Sequence, residues 1–341
     1  MKSIHQILNR QYYKKSSWIL FLLPLSFIYL LIIYFRIWAY KVNILKSTKL
    51  NVPLVVIGNI TLGGTGKTPL VIWLLKKLIK LDMKPGLICS GYNSKATLPQ
   101  EVFINSKVTD VGDEALMTKL NLNNENLNIP IFVGRKKVKV GKALLASYPN
   151  IDILISDDGL QHYELTRDFE ILVVDGDRGY GNGFLMPAGP LREFPKRVNE
   201  VDALVLNGSS KKSLFHTNKD SVFQMKYSGN ILVNCIHKDR TCGPDAFKRD
   251  IVVITGIGNP DRFIRYLKTL NLRLNEIIIF DDHHLFTESN FWDYDDMDII
   301  MTEKDAVKCK SFAKENFWYL PIHAVVDEKL FEKMKKKLRI N

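Results

Sequence analysis

The chain has 341 residues, 46% hydrophobic and 25% charged, a balance that excludes a disordered or collagen-like polypeptide and leaves room for about two domains. Its formal charge of +12 points to anionic partners, whether nucleic acid, a phosphate-bearing substrate or an acidic membrane face. The four cysteines, Cys89, Cys235, Cys242 and Cys309, include no CxxC pair or zinc-spaced histidine, which argues against a disulfide framework and for a reducing compartment.

The first predicted element is apolar. Ser17 to Phe35 contains no Asp, Glu, Lys or Arg and is interrupted only by Pro24 and Ser26, and its length is close to the minimum for one membrane crossing. Lys14 and Lys15 precede it, and Arg36 and Lys41 follow it. Cations at both ends give little asymmetry to orient a span and suit a helix lying in the inner leaflet against lipid phosphates. Residues 1–40 are therefore expected to form a membrane-associated helix at the cytoplasmic face, in contact with anionic lipids. The other readings are a single membrane span and a helix buried in protein. No small-residue cleavage site follows, which disfavours a removed signal peptide.

Residues 41–210 alternate short β-branched runs with helical ones: Leu54–Ile57, a helix from Pro69 to Leu81, Pro85–Cys89, Ile131–Val133, Ile151–Ile155 and Ile171–Val174. Continuous hydrophobic strands separated by helices predict an α/β, doubly wound, mainly parallel sheet, with ligands beyond the carboxyl ends of the strands. The first strand runs into Thr61-Leu62-Gly63-Gly64-Thr65-Gly66-Lys67-Thr68, which fits a phosphate-binding loop. Glycines allow backbone N–H groups to wrap a polyanion, Lys67 supplies a cation for the β- and γ-phosphates, and the Thr68 hydroxyl is placed for Mg²⁺. The usual motif has glycine where this chain has Thr61, and a ligand-free turn is the bland alternative.

Three carboxylate groups follow. Asp157-Asp158-Gly159 ends a predicted strand in the manner of a Walker B motif, where a carboxylate completes a Mg²⁺ shell; alone, such a pair is more readily a cap and turn pair, but beside a phosphate loop the metal reading leads. Gly112-Asp113-Glu114 opens a helical stretch, Ala115–Leu120, where the helix dipole alone accounts for acids. A phosphoryl transferase also needs a carboxylate for the proton of its acceptor hydroxyl, and Asp113 is the candidate. Asp281-Asp282-His283-His284 follows the strand Ile277–Phe280, and if two lobes close, such a histidine can orient that carboxylate across the cleft. Arg135, Arg167, Arg178, Arg192 and Arg197 adjoin strand ends and could contact phosphate, though surface charges are the default.

Residues 211–240 read as a β connector, with edge strands at Ser221–Tyr227 and Asn230–Cys235 joined by Ser228-Gly229. From 241 to 341 a second, smaller α/β lobe is predicted, with strands at Ile251–Ile254, Glu276–Phe280, Asp298–Met301 and Phe317–Leu320 and an amphipathic helix from Asp261 to Leu270. Its Gly256-Ile257-Gly258-Asn259 turn is by itself weak evidence for a second nucleotide.

Over nearly its whole length the chain resembles the tetraacyldisaccharide 4'-kinase family, the lipid A 4'-kinases. The blocks that carry the resemblance are GNITLGGTGKTP at 58–69, VGDEALM at 111–117, DDGLQHYELTRDFEILVVD at 157–175, RGYGNGFLMPAGPLRE at 178–193, FDDHHLF at 280–286 and MTEKDAVK at 301–308. The resemblance implies a P-loop kinase that uses ATP and Mg²⁺ to phosphorylate the 4'-hydroxyl of a tetraacylated glucosamine disaccharide 1-phosphate, forming lipid IVA at the cytoplasmic face of the bacterial inner membrane. It implies Asp113 as the carboxylate on the acceptor hydroxyl with His283 as its partner, and Lys67, Thr68, Asp157 and Asp158 for ATP and metal, with Glu114 joining the metal shell. It further implies Tyr92, Ser94, Arg135 and Asn182 on the substrate. The chain reads Cys89-Ser90-Gly91-Tyr92-Asn93 where the family has Ser-Arg-Gly-Tyr-Gly, so the phosphate contact of that arginine has no counterpart at Ser90. A membrane-surface ATPase acting as a scaffold or switch is the alternative. Nucleic-acid binding ranks last because no aromatic-basic RNA motif or reading helix stands out.

Overall fold

The computed structural model describes residues 11–13, 17–91, 94–208, 219–247 and 250–340. Lys14, Lys15, Tyr92 and the polar run from Ser209 to Ser213 lie outside them. Among the described residues, nine strands form one sheet in the order His323–Val326, Val222–Ser228, Ala203–Asn207, Phe169–Asp175, Leu54–Gly58, Ile153–Asp157, Pro85–Cys89, Ile131–Val133 and Gln100–Glu101. All neighbours are parallel except at the two edges, where His323–Val326 and Gln100–Glu101 run antiparallel. The central strand Leu54–Gly58 is wholly buried. Val55 and Ile57 face one core layer with the helices Lys67–Ile79, Asp113–Asn124 and Lys329–Leu338, whereas Leu54 and Val56 face the other with the helix Lys137–Ser147. Burial on both faces is why these strands read as continuous apolar runs.

The second sheet has six described strands, ordered Thr241–Cys242, Leu232–Asn234, Phe317–Leu320, Asp298–Thr302, Ile251–Thr255 and Leu274–Ile279. The last four in that order are parallel, with Ile251–Thr255 placed between Asp298–Thr302 and Leu274–Ile279. Their carboxyl ends carry the Gly256–Asn259 turn, Glu303-Lys304 and Asp281–His283, and these turn toward the carboxyl ends of the large sheet.

The stretch expected to be a connector is divided between the sheets. Val222–Ser228 is an interior strand of the large sheet, and Leu232–Asn234 pairs with Phe317–Leu320 in the small one, so the expected hairpin does not form. The C-terminal residues also leave the second lobe. His323–Val326 pairs with Val222–Ser228, and Leu330, Phe331 and Met334 bury in the first core. The two crossings between lobes thus lie side by side.

The apolar N-terminal segment is a helix over Leu23–Lys41 after a 3₁₀ turn, Ser17–Leu22. The span Ile19–Lys41 has mean hydropathy 2.2 and is 11% buried, so the protein core does not cover it. Its two interruptions have roles: Pro24 sits in the first helical turn, where a missing N–H costs little. The Ser26 hydroxyl donates to the Leu185 carbonyl at 2.9 Å and accepts from the Ala188 N–H at 3.0 Å.

Candidate active site

The phosphate loop is shaped by two glycines in the left-handed region, Gly63 at φ 93° and Gly66 at φ 95°. Gly66 caps the Lys67–Ile79 helix, and a methyl there would lie 2.2 Å from Asn207 Nδ2 and 2.5 Å from the Tyr227 hydroxyl, so no larger residue fits. Asn207, at the end of its own strand, donates to the Thr65 carbonyl at 2.8 Å, and Asn59 donates to the Thr61 carbonyl at 2.8 Å. Thr61 forms an extended antiparallel bridge with Leu191, a conformation that needs no glycine. The atypical residue is thereby accounted for.

Lys67 Nζ lies 3.3 Å from Asp158 Oδ1, and Arg192 Nη1 lies 3.1 Å from Asp158 Oδ2. Burial alone would raise the Asp158 pKa, but these two cations outweigh it and hold the carboxyl well below the usual range. Asp157 is the opposite case. Burial and the nearby Glu114 carboxylate push it up to about 7 against the pull of Lys67. Its Oδ1 is buried without a hydrogen-bond partner. Beneath it, the fully buried Lys137 donates to the carbonyls of Asp157 at 2.5 Å and Ile88 at 3.1 Å, joining two strand ends.

Asp113 begins the Asp113–Asn124 helix and is buried. His283 Nδ1, from the other lobe, is 2.9 Å from both carboxylate oxygens. Burial opposes charge on both groups, but their hydrogen bond, with Lys304 beside the carboxylate, lowers Asp113 to about 2, and the Asp113 partner raises His283 above its ordinary value. Lys304 Nζ is 3.0 Å from Glu114 Oε1 and 3.2 Å from Asp282 Oδ1.

Farther along the lobe boundary, Asp175 accepts from Asn259 Nδ2 and Arg262 Nη2, both at 2.5 Å, and Arg178 Nη1 donates to the Gly258 carbonyl at 2.8 Å. A methyl on Gly258 would come within 2.5 Å of the Gly64 nitrogen. The Gly256–Asn259 turn thus clamps the phosphate loop, and Ile257, Gly258 and Asn259 line the same cleft as that loop.

The resulting cleft encloses about 710 Å³ and is lined by Leu62 to Thr68, Asp113, Glu114, Asp157, Asp158, Arg192, His283 and Lys304. Of the expected substrate residues, Ser94 is occupied in its own turn, where its hydroxyl accepts from the Ala96 N–H. Arg135 is exposed away from the cleft lining. The Asn182 amide holds the backbone of Ala188 and Phe184. Arg167 and Arg197 pair with Glu170, so they serve structure rather than phosphate. Lys304, Arg262 and Lys137 were not singled out by the sequence. Lys304 lies within one of the resemblance blocks, MTEKDAVK, and the other two carry no local signal.

A strand–glycine loop–helix unit at the carboxyl edge of a doubly wound sheet, closed over by a second α/β lobe, defines a two-lobed P-loop nucleotide-binding protein. Comparison narrows the class. The family model described as tetraacyldisaccharide-1-P 4'-kinase matches residues 18–339, and the chain belongs to that family. It is 40% identical over 346 residues to the tetraacyldisaccharide 4'-kinase of Methylobacillus flagellatus, covering 99% of this chain and 97% of that one. The Shewanella sediminis protein of the same name is 41% identical over 322 residues, covering 93% and 91%. LpxK from Aquifex aeolicus, crystallised in complex with ATP, superposes with a TM-score of 0.76 at 28% identity, covering 94% of this chain and 100% of that one.

Proposed function

We propose that this chain is an ATP-dependent kinase that transfers a phosphoryl group to the 4'-hydroxyl of a tetraacylated glucosamine disaccharide 1-phosphate in lipid A synthesis. The observation that carries this reading is the Asp113–His283 pair in the same cleft as the phosphate loop, 2.9 Å apart yet supplied by different lobes. The loop amides and Lys67 hold the β- and γ-phosphates of ATP. Asp113 accepts the hydrogen bond of the acceptor hydroxyl and aims its oxygen at the γ-phosphorus. The new O–P bond forms as the bond to the ADP oxygen breaks, and the proton passes to the Asp113 carboxylate. With its pKa near 2 the carboxylate is anionic at any working pH but a weak base. It therefore acts mainly by orientation and takes the proton late, as suits a loose phosphoryl-transfer transition state. His283 fixes the carboxylate in that orientation.

Mg²⁺ fits the site. The orphaned Asp157 Oδ1 and its raised pKa mark a buried carboxylate short of a cation. Thr68, Asp157, Asp158 and Glu114 are the residues that would hold the ion. Among the described residues no three His, Cys, Asp or Glu side chains lie together as a metal cage, so these side chains would not close the shell alone and water and phosphate oxygens would complete it. When bound, it neutralises charge on the transferring group. In this reading the bare face of the N-terminal helix lies against anionic lipids of the inner membrane's cytoplasmic leaflet, where the acylated acceptor resides.

The test is incubation with γ-labelled ATP, Mg²⁺ and the disaccharide 1-phosphate in detergent micelles. Label is expected on the lipid, and it should be lost in Lys67→Ala and Thr68→Ala with the fold intact by circular dichroism. ATP hydrolysis without lipid labelling would overturn the reading in favour of a scaffold ATPase.

A further inference from the structure

The cleft joins three carboxylates that repel one another. Asp113 and Glu114 stand at the start of a first-lobe helix, and Asp282 comes from the second lobe beside His283. Lys304 Nζ sits among them: 3.0 Å from Glu114 Oε1, 3.2 Å from Asp282 Oδ1, 3.8 Å from Asp113 Oδ2 and 3.4 Å from His283 Nε2. Its side chain is 12% exposed. The position is rigidly set. Lys304 lies in the first turn of the Glu303–Cys309 helix, whose cap Thr302 accepts from the Asp305 N–H. The Asp305 carboxylate in turn accepts from the hydroxyls of Thr302 at 2.7 Å and Thr255 at 2.8 Å and from the Gly256 N–H at 3.2 Å. That tie fixes the lysine to the turn that clamps the phosphate loop. Across the boundary, Asn121 donates to Glu303 at 3.1 Å, so the two helices meet at this point.

We infer that Lys304 is the positioning residue that makes lobe closure electrostatically allowed, by holding Asp113, Glu114 and Asp282 together so that His283 can reach Asp113. Without it, closure would bring the buried Asp113 against the partly exposed Glu114 and Asp282 without the side-chain cation that lies within 4 Å of all three, and like charges in a partly desolvated cleft repel at a cost. Lys304 touches neither nucleotide phosphate nor the acceptor in this assignment. Its effect on turnover is indirect and rests on the kinase reading given above, whereas its effect on closure does not.

Two readouts separate those parts. The first is hydrogen exchange without nucleotide: Lys304→Met is expected to lose protection at residues 112–116 and 281–284 while the cores of both sheets stay protected, and Lys304→Met/Asp282→Asn is expected to regain it. The second is lipid phosphorylation, where Lys304→Met should lower kcat by about 10²–10³-fold, the scale of stranding buried charge, with the KM for ATP changed less than threefold. Lys304→Arg should keep more than a tenth of the activity. Removing Asp282's charge in the double variant should restore at least tenfold over Lys304→Met. If Lys304→Met does not fold, the double variant is compared with Asp282→Asn alone, and agreement within tenfold supports the inference. Unchanged exchange in Lys304→Met, activity within threefold of wild type, or a double variant no better than the single one would each overturn it. A wild-type protein that labels no lipid while Lys304→Met still loses protection would sink the kinase reading and leave the closure role standing.

Discussion

At the level of single residues, the proposed catalytic pair includes a side chain whose backbone is held in an unusual conformation. His283 has φ 62°, in the left-handed region that a non-glycine residue enters only when its surroundings impose it. Here the His283 N–H donates to the Gly256 carbonyl at 3.2 Å, and the result is an imidazole directed across the cleft at Asp113. If the two act as one unit, Asp113→Ala should lower kcat by ~10²–10⁴-fold, the range for losing a group that handles the acceptor proton, with ATP affinity little changed. His283→Ala should cost less. The double variant should then be scarcely slower than Asp113→Ala, because a positioning partner has nothing left to position. Single-turnover transfer rates and ATP titrations measure both quantities, and fully multiplicative losses would show independent roles. Asp113, His283 and Lys67 were legible because each sits in a short motif with its own chemistry. Lys304 was not, since it lies 190 residues from Glu114 in sequence and reaches it only where the two lobes meet.

Among secondary-structure elements, the strands of both sheets were legible wherever burial on two faces produced an unbroken apolar run, as at Leu54–Gly58 and Ile251–Thr255. The C-terminal return was not. Lys329–Leu338 is a lysine-rich helix, and only its packing in the first core shows that Leu330, Phe331 and Met334 are buried. Long-range pairing also decided Val222–Ser228, whose alternating burial suits an edge strand until His323–Val326 covers it. The segment after Asp158 gives a prediction of its own. Arg167 Nη2 donates to the His162 carbonyl at 2.8 Å, holding a loop in which burial, with Lys137 adding to it, lowers the His162 pKa from 6.5 to about 4. Between those values the unfolded chain binds a proton that the folded chain does not. Stability should therefore fall as pH drops from about 6.5 towards 4 and level off below, by on the order of 2–3 kcal/mol for this residue. Urea midpoints across that range should show it, and His162→Gln should flatten the slope; an equally steep slope in the variant would place the effect elsewhere.

Across the whole molecule, the apolar helix and the phosphate site belong to one rigid path. Ser26 ties the helix to Leu185 and Ala188, and the Tyr29 hydroxyl donates to the Arg192 carbonyl at 3.3 Å. The Arg192 side chain reaches Asp158 beside Lys67. If the helix rests in lipid as proposed, its depth sets the height of the cleft above the membrane, and an acceptor anchored by acyl chains would meet the γ-phosphate without leaving the bilayer. The helix face opposite Ser26 is free to be tested, because Ile28, Ile32 and Phe35 are 54%, 60% and 65% exposed and their replacement leaves the docking bonds in place. Burying each such side chain contributes roughly 1.5–3 kcal/mol, so the Ile28→Glu/Ile32→Glu/Phe35→Glu variant should lose at least ~10³-fold in partitioning onto vesicles containing anionic phospholipid. Nucleotide binding should be unchanged, since no contact in the cleft is altered. Transfer to vesicle-embedded acceptor should fall with the partitioning, and raising the vesicle concentration should recover it. Retention of the variant on vesicles at high salt would mean that another surface holds the protein to lipid. Full recovery of binding without recovery of transfer would mean instead that the helix also sets the orientation of the cleft.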